Sequence, residues 1–364
     1  MLFEPLEIKG LKLKNRIVMA PMATNFGLRS ERAITYYTER AKGGVGLVIA
    51  QGTPISIFQS QSFLAGVAKL VDAIHAAGAK AAIQLWWGNE LPSGEAVAPS
   101  ATGNMREITR EEIADTVQRY AFAAGKAKEA GFDAVNIHGA HQYFLHQFFS
   151  PRTNQRTDEY GGSLDRRMRF AVDIVAATRA AVGDDYPIMY RHSAREYFAN
   201  GITIEHTKEF AVALEKAGVD IIDVSVGRGP GKIDLISPRK NQPLATHADL
   251  AAAVKGVVKK ARVVAVGRMN TGEVTERVLQ EGKADLIAVG RQLIADPYWA
   301  RKVREGCEAE IVVCTACNKC NKTFEKQIAL ACEVNPLVGR EWEVANGTLT
   351  PEDIATLMAP KKKR

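Results

Sequence analysis

No run of about 18 apolar residues interrupts the 364-residue sequence, which removes a helical membrane span from consideration. The opening segment "MLFEPLEIKGLKLKNR" has no basic stretch leading into an apolar core, so it does not read as a secretory signal, and a cytoplasmic protein is the expectation. A strong charge bias is missing too. The chain has 48 basic and 41 acidic residues, a formal charge of +7, and four of those charges sit in Lys361, Lys362, Lys363 and Arg364. That leaves a body close to +3, without the basic face or stripe that a nucleic-acid protein carries within its fold. The ending "PKKKR" reads as a solvated end rather than a localisation signal. The 5 cysteines are too few and too odd in number for a secreted disulfide framework, and four of them crowd between positions 314 and 332. Histidine is scarce as well, at 7. Two of those seven nevertheless fall three residues apart in "HGAHQY", where an apolar run stops.

What is present is an ordinary globular composition, 46% hydrophobic and 24% charged, long enough for two domains or one large barrel. Eight short apolar runs recur: "RIVMA" (16–20), "VGLVIAQ" (45–51), "AKAAIQL" (79–85), "FDAVNIH" (132–138), "PIMYR" (187–191), "VDIIDVS" (219–225), "RVVAV" (262–266) and "ADLIAV" (284–289). Between them lie segments such as "REEIADTVQRYAFAAGKAKEAG" and "TIEHTKEFAVALEKAG", whose apolar residues return every three or four positions and which end in glycine, as helix C-caps do. Strands that are nearly continuous apolar runs are covered on both faces, as parallel strands are. Eight alternations predict a (β/α)8 TIM barrel over residues 1–306, a short cysteine-rich extension over 307–340 and a C-terminal tail over 341–364. A doubly wound open sheet fits less well, because no G-x-G-x-x-G follows the first strand.

In such a barrel the active site is assembled from the loops after the strands. Residues just past the eight runs include Pro21, Met22, Ala23, Thr24, Gln51, Gly52, Gln84, His138, His141, Tyr143, Arg191, Gly267 and Gly290. Amides, a guanidinium, two imidazoles and a phenol facing one another can grip a flat heterocycle with several hydrogen-bonding edges. Gly267–Arg268 and Gly290–Arg291 follow the last two strands, where barrels often hold a phosphate. A phosphate at one edge and polar clamps around the mouth suit a flavin mononucleotide.

The stretches "NRIVMAPMATN", "IQL", "IHGAHQYFLHQFFSPRTNQRTDEYGGSLDRRMRF", "YRHS", "VAVGRMN" and "VGRQLIADP", in order and spacing, resemble the old yellow enzyme family of FMN-dependent ene reductases, from about residue 3 to about residue 340. The resemblance implies that Ala20, Pro21, Met22 and Ala23 line the flavin, that Gly52 and Gln84 contact its ring edge, and that Arg191 faces the N1 and C2 carbonyl side. A cation there favours the charge that develops on hydride uptake. Gly267, Arg268, Gly290 and Arg291 would hold the phosphate. His138 and His141 would donate to the carbonyl oxygen of an activated alkene, and Tyr143 would protonate its α-carbon after hydride reaches the β-carbon. A phenol of pKa about 10 stays protonated at neutral pH yet can donate. His146 and His192 are expected to be structural. The implied reaction is ping-pong reduction of an unsaturated carbonyl compound, an enone or an enoyl thioester, with NAD(P)H as reductant.

Two departures from the family pattern bear on the substrate. Gln142 stands where a glycine usually sits, which makes a positive φ harder to reach. Trp86 and Trp87 replace a stretch that is commonly histidine with small neighbours, and either indole could narrow the mouth or pack in the core. In "CTACNKCNKTFEKQIALAC", Cys314, Cys317 and Cys320 are tightly spaced and Cys332 is remote, a pattern that favours a [4Fe-4S] cluster over zinc, with unligated thiols as the third reading. The 2,4-dienoyl-CoA reductase and trimethylamine dehydrogenase branch of the family carries a similar cluster after its barrel. Those larger relatives append a second flavin and nucleotide-binding region, whereas this chain continues for only 32 residues beyond Cys332. Direct reduction by NAD(P)H is therefore expected, with a separate electron-donor protein as the other route. Amine or demethylating oxidation and iron–sulfur electron transfer are the rival functions, and the carbonyl clamp argues against the first. No nucleic-acid or membrane partner is expected, and a homo-oligomer is left open.

Overall fold

A computed structural model describes residues 1–230 and 235–359. The basic ending at 360–364 lies outside the described residues. Eight parallel strands close into a barrel in chain order: β1 (Ile17–Met19), β2 (Leu47–Pro54), β3 (Lys80–Trp86), β4 (Ala134–Gly139), β5 (Ile188–Ser193), β6 (Ile221–Ser225), β7 (Arg262–Ala265) and β8 (Leu286–Val289). Each coincides with one of the eight apolar runs, and β8 pairs with β1 to complete the ring. The outer helices are α1 (Glu31–Lys42), α2 (Gln61–Ala76), α3 (Arg110–Glu129), α4 (Leu164–Val182), α5 (Ile204–Ala217), α6 (Ala248–Lys255), α7 (Gly272–Gln280) and α8 (Trp299–Glu305).

Local chemistry sets several of their ends. The Thr109 hydroxyl accepts the backbone N–H of Glu112 while Glu112 reaches back to the Thr109 N–H, a capping box that starts α3. Gly218, at φ 113°, ends α5 in a left-handed turn.

The alternation of side chains along a strand divides the core in two. Ile17, Met19, Val48, Ile83, Val135, Ile188, Val224 and Val263 point outwards and pack under the helices. Val18, Leu47, Ile49, Ala82, Ala134, Met189, Ile221, Val264 and Leu286 point inwards and fill the barrel floor, which the antiparallel hairpin Leu6–Ile8 and Leu11–Leu13 closes from below. Two residues further along the same inward parity, the side chains become polar: Gln84, Asn136, Arg191 and Asp223, all buried. The barrel is thus dry at its base and polar towards the strand C-termini, where active sites of this fold lie.

Residues 307–340 pack on the barrel. Asn335 donates to the Ile294 carbonyl, the Gln292 amide donates to the Val312 carbonyl, and its side-chain oxygen accepts the Cys314 N–H at 2.9 Å. The 341–359 segment contains two short helices, Glu341–Ala345 and Pro351–Met358. Glu341 of the first pairs with Arg40 of α1 at 2.7 Å.

Candidate active site

The register of three neighbouring strands builds the centre of the mouth. His138 on β4 lies opposite Arg191 on β5, and Arg191 lies opposite Asp223 on β6. Arg191 donates to Asp223 Oδ2 at 2.6 Å, with both side chains buried. One strand earlier, Gln84 on β3 donates to Asn136 Oδ1 at 2.9 Å. A belt of hydrogen-bonding side chains therefore crosses β3 to β6 directly above the apolar floor.

The chain leaves β4 through two consecutive left-handed residues, His141 at φ 62° and Gln142 at φ 64°. Each costs about 1–2 kcal/mol in a residue with a side chain. The expectation that Gln142 would resist a positive φ is corrected: the loop takes that conformation regardless. Nearby bonds hold it there. The His141 N–H donates to Ser193 Oγ at 2.9 Å, and Gln147 Nε2 donates to the Gln142 carbonyl at 2.9 Å. The short helix Phe144–Phe149 then begins, with Tyr143 at its N-terminal boundary and its phenol making no capping bond.

This turn brings the three predicted catalytic side chains together. Ring centroids of His138 and His141 are 5.2 Å apart, and those of His138 and Tyr143 are 4.9 Å apart. Burial first, and the Arg191 charge second, push both imidazoles well below their usual pKa, so both are neutral at pH 7. Burial raises the Tyr143 phenol, which the exposed Arg228 partly opposes. Ser225 Oγ is 2.8 Å from His141 Nε2, and His138 Nδ1 is buried without a protein partner. A buried polar atom without a protein partner is a place a ligand can satisfy.

Trp86 stands edge-on to Tyr143 at 5.5 Å, whereas Trp87 is buried against Phe144 at 4.3 Å. One indole belongs to the mouth and the other to the core. His146 is fully buried and bonds Glu196 at 3.1 Å, and His192 bonds Thr207, so both are held as framework residues.

Ala20 continues β1 through its N–H to the Val289 carbonyl, and Pro21, Met22 and Ala23 are partly exposed at the mouth. Gly52 follows a register shift in β2, and a Cβ there would lie 3.3 Å from Gln84 Oε1. Gly267, at φ 110°, would place a Cβ 2.6 Å from the His247 ring, so this turn admits no side chain. The two arginines of the final strands turn onto backbone. Arg268 bonds the carbonyls of Lys240 and Gln242 and keeps a buried Nε without a partner, while Arg291 bonds the Pro238 carbonyl and Asn318 Oδ1.

Arg291 also borders a second feature, a cleft lined by Cys314, Cys317, Cys320 and Cys332. Left-handed turns at Ala316 and Asn318 curl the first three cysteines around it. Burial raises the Cys314 thiol and pushes Cys320 up to about 11, and Arg291 works against both shifts.

Asn136, Asp223, Ser193, Ser225 and Arg228 were not foreseen. The polar strand residues share the inward parity of the floor residues, which is the signal that could have found them.

A closed parallel barrel with an imidazole pair, a phenol, an amide and a guanidinium at its C-terminal mouth is a fold whose polar rim can grip a flat heterocycle. The chain belongs to the NADH:flavin oxidoreductase / NADH oxidase family, whose profile matches residues 1–310. It is 40% identical over 370 residues to an NADH oxidase of Thermoanaerobacter brockii, covering 93% of this chain and 56% of that protein. It is 36% identical over 325 residues to an NADPH dehydrogenase of a Geobacillus species, covering 82% and 92%. Among solved structures, a 2-naphthoyl-CoA reductase bound to 2-naphthoyl-CoA superposes with a TM-score of 0.87 at 33% identity, covering 94% of this chain and 58% of that one. The chain thus spans a little over half the length of the oxidase and the CoA reductase it matches. The resemblance to the old yellow enzyme family and to its branch of longer reductases holds. Among the described residues no helix is long and apolar enough to cross a membrane.

Proposed function

We propose that this barrel binds FMN and reduces the C=C bond of α,β-unsaturated carbonyl compounds. The observation that carries the reading is the neutral His138–His141 pair, the first buried and the second partly exposed, with Tyr143 beside it, on the same mouth as Gln84 and Arg191. The site suits the cofactor: Gln84 and Arg191 offer hydrogen bonds to a flavin edge, Ala20 to Ala23 form a wall, and Gly267, Gly290 and the free Arg268 Nε suit a phosphate. FMN would supply hydride from N5 to the β-carbon.

The protein's own groups do the rest. Two imidazole N–H groups polarise the substrate oxygen and stabilise the negative charge that gathers there, without themselves changing charge. Ser225 Oγ, 2.8 Å from His141 Nε2, would orient the ring; with the hydroxyl as donor, the imidazole proton sits on Nδ1 and that nitrogen serves the substrate. Tyr143 holds the proton for the α-carbon, and its edge contact with Trp86 keeps the phenol in place. Trp86 bounds the room left for the substrate, which suits flat enones or aryl and enoyl thioesters.

The four cysteines would hold a [4Fe-4S] cluster. The cleft they line supports that reading; burial raises the Cys314 and Cys320 thiols, so the bound metal itself would have to displace their protons. Nicotinamide would reduce the flavin directly, with a donor protein through the cluster as the second route.

The test is an anaerobic titration of FMN-loaded protein. NADH or NADPH should bleach the flavin band, and cyclohexenone should restore it. Bleaching without recovery would remove the ene-reductase reading and leave only an NAD(P)H oxidase.

A further inference from the structure

We infer that Asp223 is a positioning residue that holds Arg191 and sets the charge it presents at the flavin, and through it the flavin's reduction potential. This rests on the FMN site proposed above.

Asp223 lies in the middle of β6, is 0% exposed, and shares the inward parity of Ile221 and Ser225. Its Oδ2 takes the Arg191 bond at 2.6 Å, and the Asn136 side chain beside it also favours the carboxylate. Burying a carboxylate costs several kcal/mol, and a buried ion pair rarely stabilises a fold more than apolar residues of the same shape. Around this position parallel strands contribute Met189, Ile221 and Val264, so an apolar pair would have packed. Stability alone therefore does not account for Asp223.

Charge does. His138, the register neighbour of Arg191, stays neutral, and so does His141. Among the described residues of this layer, the Arg191 guanidinium is paired with the Asp223 carboxyl, which burial pushes towards protonation and the guanidinium at 2.6 Å draws back towards the carboxylate. Reduction of a flavin by hydride adds negative charge to the ring. A bare guanidinium would hold that charge tightly, making the cofactor easy to reduce and reluctant to pass hydride on. The net-neutral pair keeps Arg191 as a hydrogen-bond donor of fixed direction while removing most of its net pull. A site that must accept hydride from nicotinamide and release it to an alkene needs that balance.

The experiment measures the midpoint potential of FMN in the holoprotein, by anaerobic equilibration with a reference dye, for wild type, Asp223→Asn, Asp223→Ser and Asp223→Glu. In Asp223→Asn the ratio of reduced to oxidised flavin at a fixed poise should rise at least tenfold, equivalent to about +30 mV for a two-electron couple. Asp223→Glu, which keeps the charge, should stay within threefold of wild type. Asp223→Ser is read in place of Asp223→Asn should the latter not accumulate. A potential within threefold of wild type in a charge-removing variant that retains FMN overturns the inference, because a purely structural role would lower stability or FMN affinity and leave the potential alone. A wild-type protein that refuses FMN removes the site reading as well, so the two failures are distinguishable.

Discussion

Replacing His138 and His141 together with alanine probes the chemistry at its most exposed point. Both rings are held neutral, since burial and Arg191 keep them well below the usual imidazole pKa, and the proposed role asks each to donate one N–H. Their centroids, 5.2 Å apart, allow both to bond one oxygen. Losing one preorganised donor to a developing oxyanion costs about 10²–10³ in rate, or ~2.7–4 kcal/mol. The pair serves a single atom, so the two losses will not add fully, and about 10³–10⁴ is the expected loss for the double variant. Stopped-flow absorbance separates the two halves of the cycle by following flavin re-oxidation on mixing prereduced protein with cyclohexenone. The double variant should keep its FMN, because neither histidine belongs to the proposed flavin contacts. Re-oxidation within tenfold of wild type, in protein of normal flavin content, would refute the oxygen-clamp reasoning.

Other expected outcomes reach different parts of the structure. His138, His192 (pushed down to about 3) and His247 (to about 4) are buried in their neutral form, and the partly exposed His141 is likewise held well below its usual value. Their folded pKa values lie below the unfolded value of about 6.5, so their full contribution is present above that pH and is lost as pH falls beneath it, at up to about 1.4 kcal/mol per unit for each. Urea unfolding at pH 7, 6 and 5 should show a steep decline, and a flat profile would contradict the burial. Gly267→Ala forces a Cβ to within 2.6 Å of the His247 ring at φ 110°, and should destabilise by about 2–4 kcal/mol in thermal or urea unfolding. Cys314→Ser with Cys320→Ser should abolish bound iron and sulfide by chemical assay while leaving the flavin spectrum intact. Retained iron would remove those two thiols from the ligand set. Tyr143→Phe should slow re-oxidation about 10²–10⁴-fold with reduction by NAD(P)H nearly unchanged, and equal slowing of both halves would argue for a packing role.

Some of this architecture was legible in the chain and some was not, for physical reasons. The eight strands could be read because strands covered on both faces are apolar throughout, and the helices because their buried stripe repeats every three or four residues. The proposed trio of His138, His141 and Tyr143 drew notice because it stands where an apolar run stops, and the structure brings the three rings together. Asp223 and Asn136 were hidden inside apolar runs, where a single polar residue looks like noise until inward parity is known. The directions of Arg268 and Arg291 were also invisible. A Gly–Arg pair marks a place at a strand end, but only the folded loop at 235–242 shows which carbonyls those guanidiniums meet. Gln142 shows the reverse case: residue type argued against a left-handed turn, and bonds from Ser193 and Gln147 to its neighbourhood overrode it. Trp86 and Trp87 were indistinguishable in sequence because alternation sends one to the mouth and the next into the core.

The most direct measurement of the central claim follows the hydride itself. FMN-loaded protein reduced with nicotinamide deuterated at the transferred position, then oxidised by cyclohexenone, should yield cyclohexanone carrying deuterium at the β-carbon by NMR. Saturated ketone with deuterium absent from that carbon, or no saturated ketone at all, would contradict it.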